Sequence, residues 1–315
     1  MPIEVPQDIE DAIQRYKKDE LLRGTAERTL ETYESDLRYT FNYLGCSLEE
    51  LDKSGLKELL YHLQNEKKGR RGDGVSDQTI NVYFSALNSL YEFLSYEEDL
   101  EHNPIPAFRK RYLQDKTSSD GEERQLISVS EMAGLVLSVM KTRDKAVILL
   151  FAKTGVRRNE LIRIDLQDID WEEQSIKLKP TAKRTNQIVF FDDECARVLK
   201  KWINIRNEAD PETDALFINQ ENDRLQRHGI YSVVTKHAEK IGLHNPDADR
   251  LDEKFTPHCC RHWFTTHLRR SGMKREYLKE LRGDSREVDP MESYNHIDRE
   301  ELREAYLTHI PQLNL

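Results

Sequence analysis

The stretch Thr256-Pro257-His258-Cys259-Cys260-Arg261-His262-Trp263, with Tyr294-Asn295-His296 further on, organises this chain. Proline is tolerated in a first helical turn, so Thr256-Pro257 reads as a helix start. His258 and Arg261, three residues apart, then share one face of that helix, beside backbone N–H groups that have no intrahelical partner. An imidazole, a guanidinium and a helix N-terminus together suit a phosphate. Tyr294, about thirty residues on, offers a nucleophile towards it.

Upstream, Ser128-Val129-Ser130-Glu131 carries a helix-start signature, and the apolar helix Asp144 to Lys153 is stopped by Thr154-Gly155. Val156-Arg157-Arg158-Asn159-Glu160-Leu161 follows as a short helix with Arg157 at its beginning, although Arg158 competes for that register. Ser175-Ile176-Lys177-Leu178 and Ile188-Val189-Phe190-Phe191 alternate like strands, and the basic turn between them makes a β-hairpin with lysines at its tip. Asp192 to Glu208 returns to helix on an apolar face of Val198, Leu199, Trp202 and Ile205, residues 227–242 form another helix, and residues 298–315 form a short helical tail.

The first part of the chain is all-helical from about residue 8 to residue 103. Leu30, Tyr33, Leu37, Phe41 and Leu44 recur at helical spacing between Thr25 as cap and Gly45 as stop. Leu56, Leu59, Leu60 and Leu63 form a second stripe, and Ile80, Tyr83, Leu87, Leu90 and Leu94 a third that Ser76 starts and Asn103-Pro104-Ile105-Pro106 closes. The aromatic residues on these stripes read as core. Lys67, Lys68, Arg70 and Arg71 make a basic loop, either merely solvated or in contact with a phosphate backbone. The stretch beginning at Arg109, Lys110 and Arg111 lacks apolar periodicity, and its basic half could lie along a duplex. These signals divide the chain into a helical domain at 1–112, a linker at 113–125 and a second domain at 126–315.

The 315 residues suffice for two domains with their own cores. No apolar run approaches the roughly 20 residues that span a bilayer, and the start has no signal-peptide pattern, so a soluble, cytoplasmic protein is expected. Cys46, Cys195, Cys259 and Cys260 make no disulfide framework, and the adjacent pair cannot form the usual zinc clip. A net charge of −10 speaks against nucleic acid when taken alone. Its distribution softens the objection: residues 1–120 hold 16 Lys+Arg against 24 Asp+Glu, and the remainder 32 against 34, with the basic residues clustered.

Thr154 to Leu161, a hairpin lysine, His258-x-x-Arg261 and Tyr294-Asn295-His296 together resemble, in order and rough spacing, the motifs of the tyrosine recombinases, the phage-integrase family, in an Xer-like, archaeal form. Four such motifs over about 140 residues are specific where each alone is weak. The resemblance implies a mainly α fold with a small β-hairpin. A SAM-like helical core-binding domain and a catalytic domain would close on double-stranded DNA as a C-shaped clamp, with four protomers assembled on two sites. It implies strand exchange without metal or ATP. Arg157 and Arg261 would grip the non-bridging oxygens of the transition state. Lys183 would be the general acid, a role for which Lys179 and Arg184 compete. His258 would accept or position the proton of Tyr294, and Glu160 would orient an arginine or the short helix. Arg184 also joins the basic residues expected to touch DNA.

One position departs from the family. Where members usually carry a histidine or tryptophan against the phosphate, Leu281-Arg282-Gly283-Asp284-Ser285 puts Asp284. A carboxylate there is repelled by phosphate unless it pairs with an arginine, for which Arg282 and Arg286 are at hand. Two rivals follow, a type IB topoisomerase and a DNA-binding accessory protein that has lost catalysis. A metal-dependent nuclease would need a carboxylate cluster at ligand spacing, which the sequence lacks.

Overall fold

A computed structural model describes residues 4–69, 72–97, 99–100, 102–113, 124–181, 184–248, 250–284 and 297–315. They fall into two compact units, Met1–Gly121 and Glu122–Leu315.

The first unit holds α1 (Gln7–Leu22), α2 (Glu27–Leu44), α3 (Lys53–Asn65), a two-stranded ribbon of β1 (Lys68–Gly69) and β2 (Gly72–Asp73), α4 (Asp77–Tyr96) and α5 (Ile105–Tyr112). The apolar stripes bury as their spacing predicts: Leu56, Leu59 and Leu63 are sealed on α3, and Ile80, Leu87 and Leu90 on α4. Each such leucine stabilises the unit by about 1.5–3 kcal/mol relative to exposure. Ser76 caps α4 by accepting from the Thr79 amide, and Gly45 closes α2 in the left-handed region. Thr25 is not a cap. The N-cap of α2 is Ala26, and Thr25 instead donates its hydroxyl to Glu20. Pro104-Ile105-Pro106 also differs from expectation, because it opens α5 rather than closing α4. A proline early in a helix has no amide to lose, so the same residue serves both purposes. Arg109, Lys110 and Arg111 thus lie in the last turn of a helix that buries Ile105 and Phe108.

The second unit is built around α7 (Thr142–Thr154), whose residues are buried without a break from Ala146 to Thr154. Against it pack α6 (Val129–Ser138), α9 (Asp193–Glu208), α10 (Arg227–Lys240) and α11 (Pro257–Arg270). Ser128 and Glu131 form the expected capping box on α6. The predicted hairpin is present as β4 (Ser175–Lys177) paired antiparallel with β5 (Ile188–Phe190), in register Ile176 to Val189, and a third strand, β3 (Ile169–Asp170), pairs with β4. Ile205 does not join the apolar face of α9. It is 47% exposed, whereas Val198, Leu199 and Trp202 are buried.

The fully buried Lys153 Nζ donates to Asp192 and Glu194 side chains at 2.6 and 2.7 Å and to the Pro311 carbonyl at 2.7 Å. All three ammonium protons are thereby used. Glu194 also accepts from the Leu313 and Leu315 amides, so the segment after α13 (Arg299–His309) lies on its own chain's α9. Among the described residues no helix is long and apolar enough to cross a membrane.

Candidate active site

The short helix α8 (Arg158–Ile162) begins where α7 stops. Gly155 ends α7 at φ +60°, and a Cβ there would stand 2.3 Å from the Phe264 ring on α11. Only glycine permits both the backbone angle and the approach. That approach brings the Gly155 carbonyl to 2.6 Å from Arg261 Nη1, which donates to it. Arg261 is buried, and its Nη2 donates to the Arg282 carbonyl at 3.0 Å. Burial, then the charges of Arg157 and Arg282, bring its pKa down to about 10, so the guanidinium remains charged at neutral pH.

Arg157 is the N-cap of α8. Its amide donates to Glu160 Oε2 at 2.6 Å and its Nη1 to Glu160 Oε1 at 3.1 Å. Glu160 is buried, and a buried carboxylate is tolerated only when paired. Its second partner is Arg184, whose Nη1 donates to Oε2 at 3.1 Å. Glu160 therefore touches two arginines and orients them.

Arg184 does not fit the expectation of a DNA contact. Its side chain has no exposure, and it donates to the carbonyls of Leu281 (2.8 Å), Arg282 (3.1 Å) and Asn186 as well as to Glu160. Gly283, at φ +59°, leaves room for it, since a Cβ there would meet Arg184 Cγ at 2.4 Å. The residue ties the base of the hairpin to the end of α12 (Arg275–Arg282). Lys179 is also engaged elsewhere, with Nζ at 2.7 Å from Asp168 and 3.2 Å from Asp165, and the Asp168 hydrogen bond leads in holding its pKa above the ordinary lysine value. Lys183 and Tyr294 lie outside the described residues, as do Arg70, Arg71 and Arg286.

Asp284 sits between the arginines. Its Oδ1 accepts from Arg157 Nη2 at 3.1 Å and from Arg261 Nη2 at 3.2 Å, and its Oδ2 is 2.8 Å from Arg282 Nε. The pairing with Arg282 was legible in the sequence, and that with the other two was not. Arg157 and Arg261, 104 positions apart, thus converge on one anionic oxygen.

His258 borders a cleft of about 570 Å³ together with Arg157, Arg261, Arg124, Arg158, Arg227 and Tyr231. Its ring keeps an exposed edge, but partial desolvation and then the charges of Arg124, Arg261, His262 and Arg282 hold its pKa below the ordinary histidine value. It is neutral at pH 7 and can accept a proton. Arg158 lies 5.8 Å from the Tyr231 ring centroid, and burial followed by the charge of Arg227 lowers its pKa. Sequence reasoning passed over Arg124, Arg227 and Tyr231, and treated Arg158 only as a competitor of Arg157. The one signal available was an arginine at the start of a helix.

In the first unit, Lys67 Nζ lies 3.0 Å from the Tyr39 ring centroid and 5.5 Å from that of Tyr83. Desolvation lowers its pKa, so this lysine is partly withdrawn from phosphate contact. Lys68, Lys110 and Arg111 are exposed, and Arg109 is half-buried.

The "Phage integrase family" description matches residues 120–301, and "Phage integrase, N-terminal SAM-like domain" matches residues 13–98. Tyrosine recombinase XerC of Thermodesulfovibrio yellowstonii is 27% identical over 296 residues, covering 91% of each chain. Tyrosine recombinase XerA of Saccharolobus solfataricus is 24% identical over 292 residues, covering 91% of this chain and 88% of the relative. The fold is shared with the Tn1549 transposon integrase in complex with transposon right end DNA (TM-score 0.67, 19% identity, 93% of this chain and 97% of that one). It is also shared with a lambda integrase dimer bound to a core site (TM-score 0.65, 15% identity, 92% and 98%). Matched over more than half its length, the chain belongs to the phage integrase family of tyrosine recombinases.

Proposed function

We propose that this protein is a site-specific DNA recombinase that cuts and rejoins strands through a 3′-phosphotyrosyl intermediate, without metal or ATP. The observation that carries this reading is the convergence on one oxygen of Arg157 and Arg261, two arginines that also line a basic cleft together with His258. Two planar forks aimed at one point suit the non-bridging oxygens of a phosphate whose charge grows in the transition state. They supply there what a divalent ion supplies in other phosphoryl transfers.

The Tyr294 hydroxyl attacks phosphorus, and its proton passes towards His258. The bond from phosphorus to the 5′-oxygen breaks, and Lys183 protonates that oxygen. Lys179 and Arg184, the competitors for this role, are both bound elsewhere, which supports Lys183. A free 5′-hydroxyl from a second duplex then attacks the phosphotyrosine and releases Tyr294. The exposed Lys68, Lys110 and Arg111 are basic contacts for the duplex backbone. Both units contact DNA, four protomers assemble on two sites, and the protein works in the cytoplasm beside the nucleoid.

The test is exchange between two copies of a candidate site in the presence of EDTA and without nucleotide. Joined products lost in Arg261→Ala support the reading, and strict dependence on a divalent ion contradicts it. The rival reading, a DNA-binding accessory protein, is favoured by one observation, the carboxylate of Asp284 standing in the arginine clamp.

A further inference from the structure

Among the described residues, Asp284 is the acidic side chain that accepts from both clamp arginines. Arg157 directs Nη1 to Glu160 and Nη2 to Asp284, and Arg261 directs Nη1 to the Gly155 carbonyl and Nη2 to both Asp284 and the Arg282 carbonyl. The Nη2 donors therefore converge on a carboxylate oxygen that the protein itself supplies. Taking the clamp to be the phosphate seat proposed above, we propose that Asp284 occupies it as an internal stand-in for the DNA phosphate. The substrate must displace this carboxylate before cleavage.

Three observations favour a displaceable occupant over a strut that aims the arginines. Each arginine is already aimed without it, Arg157 by Glu160 and Arg261 by the Gly155 and Arg282 carbonyls. The Asp284 side chain is 31% exposed, against 3% for Glu160, so it can turn to water without breaching a core. Its backbone is held apart from its carboxylate: Gly283 ends α12 in the left-handed region, and the Asp284 carbonyl accepts from the Thr185 hydroxyl at 3.1 Å. Moving the side chain thus leaves the turn in place. Carboxylate and phosphate cannot share the seat, because like charges a few ångströms apart repel strongly at low effective dielectric.

The probe is sulfate, a tetrahedral dianion, titrated calorimetrically into the full-length DNA-free protein at fixed ionic strength. Asp284→Asn removes the charge while keeping the shape, and sulfate should bind on the order of tenfold tighter or more. Asp284→Glu keeps the charge and should bind as weakly as the parent. Adding Arg261→Lys to Asp284→Asn should abolish the gain, which locates the sulfate at the clamp. The proposal is overturned if Asp284→Asn binds sulfate no tighter than the parent, if Asp284→Glu gains equally, or if the gain survives Arg261→Lys. Thermal melts of each variant confirm folding. The sulfate experiment is independent of DNA chemistry. Absence of any covalent DNA product would therefore overturn the recombinase reading while leaving this result standing. With a cleavable site, Asp284→Asn should also form the covalent complex faster at subsaturating DNA.

Discussion

Replacing Arg184 by alanine separates a structural role from a DNA contact. The side chain is fully buried, pairs with a buried carboxylate and satisfies three backbone carbonyls. Burial is the largest influence on its guanidinium and pulls its pKa down, and the facing Glu160 carboxylate opposes that shift. Removing one partner of such a pair destabilises by about 3–5 kcal/mol, and the orphaned carbonyls belong to the same network, so their terms do not simply add. For a unit the size of Glu122–Leu315 each kcal/mol lowers Tm by about 2–4 °C, giving an expected fall of about 6–20 °C. The assay is a circular-dichroism melt beside a salt titration of DNA binding. A buried arginine leaves the slope of log K against log salt unchanged, whereas loss of a phosphate contact lowers it by about one. A melting shift below about 2 °C with a reduced salt slope would refute the reasoning and place Arg184 on the DNA.

Arg157→Ala or Arg261→Ala should slow cleavage by at least about 100-fold while native-gel retardation of DNA persists, and parental cleavage rates in either would remove the clamp from the mechanism. Gly155→Ala combines a disallowed φ with a contact on Phe264 and should destabilise by about 1–3 kcal/mol or more, measured by urea unfolding. Because the folded pKa of His258 lies below its ordinary value of 6.5, the imidazole is still more than half unprotonated when pH has fallen to that value. The acid-side half-loss of cleavage should fall below pH 6.5, and a half-loss already above 6.5 would deny His258 the role of base. Ser128→Ala removes a capping box and should lower stability by about 1 kcal/mol without changing cleavage.

The helices were legible where a 3.6-residue apolar stripe met a cap or a stop, as on α4 with Ser76 and on α2 with Gly45. What failed was local ambiguity. A proline pair reads equally as a stop or a start, and Thr25 is a cap by type but lies one residue too early for α2. At the site, short spacing and helix termini single out Arg157, Glu160 and Arg261, and the structure links Arg157 to Glu160 directly and to Arg261 through Asp284. Arg184 was misread because the partners that bury it come from Glu160 and from carbonyls near residue 282, and no local pattern distinguishes a buried arginine from an exposed one. Asp284 shows the same limit. Its neighbour Arg282 could be anticipated, but its capture by Arg157 and Arg261 depends on how α8, α11 and α12 pack. Lys67 looked like a free cation until the Tyr39 ring was found against it.

Covalent joining of Tyr294 to DNA is the step on which the proposed function rests. Its most direct test is incubation of the protein and of Tyr294→Phe with nicked suicide substrates made from candidate sites, followed by a denaturing gel. The account predicts a protein–DNA band that resists denaturation and disappears in the variant. DNA retarded on native gels with no covalent band, across sites and salt conditions, or a covalent band that survives Tyr294→Phe, would contradict it.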